Sequence, residues 1–494
     1  MPPGDKTFYI TTAIPYVNAE PHLGFALELV QADAIARFRR LQGRDVRFVT
    51  GTDENALKNF IAAREQGVDP RELINRNAAA FRELKSTLNL SWDDFIRTTE
   101  PRHIAGAQKF WRACRPEDIY KKHYRGLYCV GCEEFKTEKD LADGRCAEHP
   151  TIEPELVEEE NYFFRLSAYQ GTIERLVGSG ELEVIPEVRR NEMLAFISRG
   201  LQDFSISRSR ERAHGFGVPV PGDPSQVQYV WFDALTNYIN ALGYAEDAES
   251  FRRYWQENDD ILHVIGKGIA RFHAVYWPAM LLSAGLRLPK RVFVHGYITV
   301  NGQKISKSLG NIIIPKEIVA KYGVDPIRYY LFREIPTFED GDFSEVKLVE
   351  RYNGELANGL GNLVARVAAL GEKLSPLRFN FARDIRPAVH EEIDKRFRRY
   401  EEAMDSLHLH EALGEVWQLI GFADRHINDA TPWAVADPEA LRKIISRAAW
   451  LVSTVANLVS PFLPETAEKI QQQIAFRDST MVIKRGGVLF PRLG

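Results

Sequence analysis

A chain of 494 residues exceeds what one compact hydrophobic core supports, so about two to four domains are expected. Hydrophobic content of 45% and charged content of 27% are ordinary for a globular protein, and a net charge of −4 excludes a global basic field. No window approaches about 18 consecutive apolar residues, and Met1-Pro2-Pro3-Gly4-Asp5-Lys6 lacks a charged-then-apolar leader, so a cytoplasmic chain with no membrane partner is expected.

Phe8-Tyr9-Ile10-Thr11-Thr12 is short, apolar and β-branched, which predicts a buried strand. Ala13-Ile14-Pro15-Tyr16 follows, then Pro21-His22-Leu23-Gly24-Phe25 at the start of a helix whose apolar face is Leu27, Val30, Ala34, Phe38 and Leu41. A strand turning into a helix presents outward-pointing amides, with His22 among them, and such a terminus attracts phosphate. Plain helix capping gives the same local pattern.

Asp45–Glu54 predicts a second strand running into Gly51-Thr52-Asp53-Glu54. In a doubly wound sheet, ligands bind beyond the carboxyl ends of the strands, which brings Asp53 to the same rim as Ile14 and His22. A carboxylate there can hold a substrate amine; equally, it can cap the next helix. Helical patterns fill 55–88 and 101–114.

Of four cysteines, three fall within 18 positions. Cys129, Cys132, Cys146 and His149 form C-x2-C-x13-C-x2-H, which suits a closed tetrahedral Zn²⁺ site of three thiolates and one imidazole. A redox pair explains only Cys129 and Cys132. Cys114 reads as a core residue. Residues 151–213 look inserted, with an acidic linker at Glu153–Glu160 and a strand-like Asn161–Leu166. Local basic clusters at Arg37/Arg39/Arg40, Arg208/Arg210/Arg212 and Arg396/Arg398/Arg399 read as solvated surface or as nucleic-acid contacts.

From Phe216 the nucleotide-fold pattern resumes. Tyr229–Leu235 predicts a buried strand or its end, and Ile261–Gly266 a strand ending in a glycine turn. His273 on the following apolar helix would ordinarily be a core histidine. After a strand at Arg291–Tyr297 comes Gly302-Gln303-Lys304-Ile305-Ser306-Lys307-Ser308, a mobile cationic loop able to neutralise charge on a departing polyphosphate, or else a basic turn. Beyond about 345 four amphipathic runs (353–370, 391–409, 410–428 and 441–459) predict an up-and-down helical bundle. Asn362 and Arg366 share a helical face. Pro432-Trp433 lies in a loop, where the indole is either packed or a platform for an unstacked base.

These motifs together resemble class I aminoacyl-tRNA synthetases, and within them the methionyl branch. The signatures are similar to His-Ile-Gly-His and Lys-Met-Ser-Lys-Ser, standing here as His22-Leu23-Gly24-Phe25 and Lys304-Ile305-Ser306-Lys307-Ser308. The methionyl branch is suggested by Ala13–Tyr16, Gly51–Glu54, Trp231–Ala234, Arg271–His273, the zinc knuckle, Asn362, Arg366 and Pro432-Trp433.

The resemblance implies a Rossmann-type parallel α/β catalytic domain in two halves (1–118 and 214–345). Between them stands an inserted connective module with a zinc knuckle (119–213), and an all-α anticodon-binding bundle follows (346–494). It implies activation of L-methionine by ATP with Mg²⁺ to methionyl-adenylate, then transfer to tRNA(Met). His22, Lys304 and Lys307 would be catalytic; these with Gly24, Gly266 and Ser306 would bind ATP. Ala13, Ile14, Tyr16, Asp53, Trp231, Ala234, Tyr238 and His273 would bind methionine, and Asn362, Arg366, Pro432 and Trp433 the anticodon. A structural zinc on Cys129, Cys132, Cys146 and His149 completes the expectation.

Several positions depart from the pattern. Phe25 replaces the second signature histidine and is expected to pack beneath the helix start, leaving phosphate to His22, amides and the lysines. Asn55-Ala56 stands for His-Gly, Gly268 for an Asp near the ATP ribose, and His149 for Cys. Phe25 and Gly268 also suit a paralogue that activates an amino acid without normal tRNA charging. Because no further RNA-binding domain follows the bundle, a monomer is expected.

Overall fold

The computed structural model describes all residues except 1–5, 132, 137–140, 148–152, 306–309 and 478. The chain forms two compact units. The first comprises 1–28, 39–85 and 91–295; the second comprises 29–38, 86–90 and 296–494.

The first unit is built on a parallel sheet. Strand β1 (Thr7–Thr12) is buried at every position but the first, as its β-branched and aromatic run requires. Helix α1 (Leu23–Leu41) leads to β2 (Asp45–Thr52), helices α2 (Leu57–Gln66) and α3 (Pro70–Thr87), then β3 (Asp94–Arg97) and α4 (Pro101–Ala113). The sheet order is β3, β2, β1, Ile261–Gly266, Arg291–His295, Glu183–Ile185, and every pairing is parallel. The strand order reverses at β1, since β2 and β3 lie to one side of it and the later strands to the other. A reversal of this kind opens a crevice beyond the carboxyl ends of β1 and Ile261–Gly266. The last strand comes from within residues 119–213.

The rest of that segment forms a long antiparallel arm. Ile119–Cys129 pairs with Glu155–Phe164 continuously from Ile119↔Phe164 to Tyr128↔Glu155. A short strand, Glu134–Lys136, folds back on its tip. The acidic run is therefore one strand of a ladder, with Glu159 paired to Arg212.

Three expectations change. Tyr229–Leu235 is the helix Val230–Leu235, and the preceding strand stops at Gln228. An apolar run buried on all sides has no period that separates helix from strand. Leu41, placed on the apolar face of α1, is 60% exposed at the helix end, whereas Leu27, Val30, Ala34 and Phe38 are buried. Arg208, expected at the surface, is buried and paired with Glu133.

The second unit is mainly helical. Its helices include Pro387–Asp405, Leu409–Ala430, Pro438–Val459 and Pro464–Gln473, preceded by a run over 345–371 that widens to a π-helix across Tyr352–Gly361. The Asp437 carboxylate caps Pro438–Val459 by accepting the N–H groups of Glu439 and Ala440, with Pro438 set just inside the start. Fully buried Arg328 ties this unit together. Its guanidinium donates to the carbonyls of Phe462, Pro461 and Leu88 and pairs with Asp33 at 2.8 Å. Among the described residues no helix is long and apolar enough to cross a membrane.

Candidate active site

The crevice beyond β1 gathers most of the residues singled out in the first half of the sequence. Its floor is backbone. The Ala13 N–H donates to Val264 at 3.2 Å, and the Asp53 N–H donates to Pro15 at 2.8 Å, so the segments leaving β1 and β2 run side by side with Tyr16 opposite Asp53. Ile14 and Tyr16 are half-buried along this rim.

His22 sits at the start of α1. Its Nδ1 accepts the Gly24 N–H at 3.1 Å, so the neutral ring carries its proton on Nε2. Phe25 lies against the His22 ring at 4.4 Å between centroids, the planes tilted by 31°, and meets Phe81 edge-on. The phenylalanine in place of a second histidine thus clamps the first, in keeping with its expected packing under the helix start. Gly24 is needed for this arrangement, because a Cβ there would stand 2.9 Å from the imidazole Cε1.

Asp53 is 3% exposed. Burial pushes its carboxyl well above the usual range, and the negative charge of Asp233 pushes it further, against one backbone hydrogen bond from Asn55. Among the described residues no lysine or arginine pairs with it. A buried carboxyl in this setting is stabilised by a proton or by a cation from outside. Asp233, in turn, accepts the Asn55 amide at 2.7 Å and bonds to His103 Nε2 at 2.6 Å, both residues wholly buried.

A packed aromatic cluster flanks Asp233 in the chain. Trp231 stacks on Phe272 at 3.8 Å with the planes 3° apart, and Ala234 and Tyr238 are buried next to them in sequence. His273 Nδ1 bonds to the Ile269 carbonyl at 2.9 Å, which can only accept; Nε2 therefore accepts from the Tyr238 hydroxyl at 2.7 Å. His263 is fixed likewise. Trp277 donates to its Nε2 at 3.3 Å, leaving Nδ1 to donate to Thr11 at 2.7 Å. Both imidazoles are neutral: burial drives His273 down to about 4, and burial with the adjacent His273 drives His263 well down.

That neutrality carries a pH signature. An unfolded histidine titrates near about 6.5, so between that value and about 4 the unfolded chain binds more protons than the folded one. The stability contributed by His273 is present above pH about 6.5 and is lost as pH falls towards 4, amounting to about 3 kcal/mol over the full window. Thermal unfolding followed between pH 7 and 4 should show a falling midpoint, and His273→Gln should flatten that fall. Parallel profiles for the two proteins would contradict it.

Gly266 ends its strand at the crevice. His295, at the end of the next strand, pairs with Glu28 of α1 at 2.9 Å. His103, Asp233, His263 and the His295–Glu28 pair are not singled out by the sequence; His295 ends its strand, but His263 is mid-strand and Glu28 lies within α1, so neither carries a local signal. Lys304 belongs to the second unit, in the strand Gln303–Lys304, while Ser306 and Lys307 lie outside the described residues.

Of the four expected zinc ligands, Cys129 and Cys146 are buried at 0% and 1% exposure, each at a strand end; Cys132 and His149 lie outside the described residues. Among the described residues no group of three or more His, Cys, Asp or Glu side chains is placed to hold a metal ion. Cys114 is elsewhere, in the core, and burial raises its thiol to about 12.

In the second unit Asn362 is exposed and Arg366 lies one turn further along the same helix, bonded to Asp424 and Asn428. Pro432 is buried, but Trp433 is 61% exposed, with the Arg366 guanidinium 5.8 Å from its ring centre. Of the two roles the sequence left open for this indole, core packing is excluded.

Comparison with known proteins identifies the family of the chain. A family model described as "tRNA synthetases class I (M)" matches residues 8–150 and 137–368, and one described as "Anticodon binding domain of methionyl tRNA ligase" matches 383–487. The methionine–tRNA ligase of Brucella suis biovar 1 (strain 1330) is 44% identical over 482 residues, spanning 95% of this chain and 92% of that protein. That of Thermotoga maritima is 42% identical over 501 residues, 98% of this chain and 78% of its own. The structure is also similar to that of Mycobacterium tuberculosis methionyl-tRNA synthetase in complex with methionyl-adenylate. The TM-score is 0.91 and the identity 40%, covering 99% of this chain and 100% of that one. The chain belongs to the class I methionyl-tRNA synthetases.

Proposed function

We propose that the chain is a methionine–tRNA ligase that activates L-methionine with Mg²⁺-bound ATP and transfers it to the 3′ end of tRNA(Met). The observation that carries this is the crevice itself. Beyond the ends of the parallel strands stand a buried carboxyl without a basic partner among the described residues (Asp53), a histidine whose neutral ring carries its proton on Nε2 (His22), and a neutral aromatic cluster. Methionine has the three matching features, an ammonium, a carboxylate to be joined to phosphate, and a soft apolar side chain.

In this reading Asp53 holds the ammonium, and Ala13, Ile14, Tyr16, Trp231, Ala234, Tyr238 and His273 enclose the side chain. A methionine carboxylate oxygen attacks the α-phosphorus of ATP in line, forming one P–O bond as the bond to the departing pyrophosphate breaks. A terminal ribose hydroxyl of tRNA then attacks the activated carbonyl and expels AMP. No covalent enzyme intermediate is needed; positioning and charge stabilisation supply the rate. His22 Nε2–H and the α1 amides stabilise the phosphates, with Gly24 and Gly266 allowing close approach. Lys304, Ser306 and Lys307 neutralise the charge that develops on pyrophosphate.

Residues 1–118 and 214–345 are assigned to the catalytic part, 119–213 to the connective module, and 346–494 to anticodon binding. Work on tRNA fits a cytoplasmic location. ATP–pyrophosphate exchange dependent on methionine, followed by tRNA charging, tests the whole reading. No exchange would refute it, and exchange without charging would favour the paralogue that Phe25 and Gly268 suggest.

Two parts of this reading have separate tests. In the anticodon part, Asn362, Arg366, Pro432 and Trp433 form the reading surface, with Trp433 as the stacking platform. Base–aromatic stacking is worth about 1–3 kcal/mol, so Trp433→Ala should weaken tRNA charging about ten- to a hundredfold with methionine activation intact. Equal loss of both activities would reject the platform role. In the knuckle, a structural Zn²⁺ on Cys129, Cys132, Cys146 and His149 should give about one zinc per chain by elemental analysis, and chelation should lower the thermal midpoint. A metal-free protein of full stability would remove zinc from the assignment.

A further inference from the structure

Two consecutive glutamates at the tip of the antiparallel arm bond to two different segments that carry proposed methionine contacts. Glu133 is wholly buried and takes a left-handed backbone, φ 57°, which a non-glycine residue adopts only when its surroundings hold it there. Its Oε1 accepts the Lys58 N–H at 3.0 Å. Its Oε2 accepts the Tyr128 hydroxyl at 2.5 Å and the Arg208 guanidinium at 3.1 Å.

Lys58 lies in the first turn of α2, whose N-cap residue Ala56 offers no side-chain cap. Glu133 supplies that cap from 75 residues away, and its charge suits the positive end of the helix. The same first turn holds Asp53, because the Asn59 amide donates to the Asp53 carbonyl at 3.2 Å. Glu134 reaches the other segment. It pairs with Arg271, and with Lys136 at 3.0 Å. Arg271 immediately precedes Phe272, which stacks on Trp231, and His273, which bonds to Tyr238.

We propose that Glu133 and Glu134 are positioning residues for methionine recognition. Glu133 sets the ammonium-binding Asp53 through α2, and Glu134 sets the side-chain pocket through Arg271. This rests on the reading of the pocket as a methionine site. It goes beyond that reading by making amino-acid affinity depend on the inserted arm, which contributes none of the residues assigned to contact methionine. Two neighbouring side chains that bond to separate segments constrain the spacing of those segments, which a single contact does not do.

The test measures the methionine KM, ATP KM and kcat of pyrophosphate exchange, together with thermal stability, in the full chain. Glu134→Gln and Glu133→Ala should each raise the methionine KM about tenfold, the worth of one charge-assisted hydrogen bond, with the ATP KM changed less than about twofold. Glu133→Gln keeps an oxygen for the Lys58 N–H and should recover most of the loss. Arg271→Met should match Glu134→Gln, and combining the two should add little. Should Glu133→Ala fail to fold, Glu134→Gln and its pairing with Arg271→Met still decide the matter.

An unchanged methionine KM with a lowered thermal midpoint would overturn the proposal, since the glutamates would then serve stability alone. A parallel rise in both KM values would overturn it too. Absence of methionine-dependent exchange in the unaltered protein would instead fault the assigned function.

Discussion

Asp53→Asn lowers kcat/KM for methionine activation at least about a hundredfold, yet leaves the ligand-free protein at least as stable. The two halves of this expected result come from one cause. Asp53 is buried, burial and Asp233 both raise its carboxyl pKa, and no cationic side chain among the described residues compensates it. The sign follows from linkage. With a folded pKa above the unfolded value, the folded state holds the extra proton across that interval, so stability falls as pH rises through it. Ionising this carboxyl therefore works against the fold of the empty enzyme. Asparagine keeps an oxygen for the Asn55 N–H and removes the charge, which takes that cost away.

In the proposed reading the methionine ammonium neutralises Asp53, which is buried. Removing one partner of such a buried pair costs about 3–5 kcal/mol, a factor of at least about a hundred. Exchange kinetics and thermal unfolding on the same preparation give both readings. A variant that activates methionine normally would show that the ammonium binds elsewhere, and one that loses stability would show that Asp53 is already compensated in the empty protein. Mutation at a site so loaded illustrates why activity and stability oppose each other in pockets built for a charged substrate.

What the sequence disclosed follows from how local each determinant is. β1, the start of α1 and the turn at Asp53 were legible because strand composition, a helix-start proline and a strand-end carboxylate are encoded within a few residues. The Val230–Leu235 helix was not, because an apolar run buried on every side loses the periodicity that distinguishes helix from strand. Longer-range pairings were invisible for a different reason. His103 reaches Asp233 across 130 positions and Glu133 reaches Arg208 across 75, so neither polar group carries a local mark of its partner. The exposed Trp433 shows the reverse case: its sequence context allowed packing or display, and only its 61% exposure separates them.

Gly24→Ala should lower kcat of adenylate formation about tenfold or more without loss of stability, because alanine improves a helix by about 1 kcal/mol but obstructs the neighbouring imidazole. An added Cβ would lie 2.9 Å from His22 Cε1 and 3.0 Å from Nδ1, closer than real Cβ contacts come. The ring has little room to yield, since Phe25 lies against it at 4.4 Å. Turning aside would break the 3.1 Å bond from the Gly24 N–H that keeps the proton on Nε2, where the phosphate is to be met. His22→Ala should cost more, about a hundred- to a thousandfold, as loss of one preorganised donor to developing charge does. Neither change touches Asp53 or the Trp231–Phe272 pocket, so the methionine KM should hold while kcat falls. Phe25→His removes the clamp and adds a donor, which makes it the sharper discriminator. If a lone histidine braced by phenylalanine is the working arrangement, this variant gains nothing in single-turnover adenylate formation. A large gain would mean that Phe25 leaves the site impaired and that the His22–Phe25 contact is not what orients the phosphate donor.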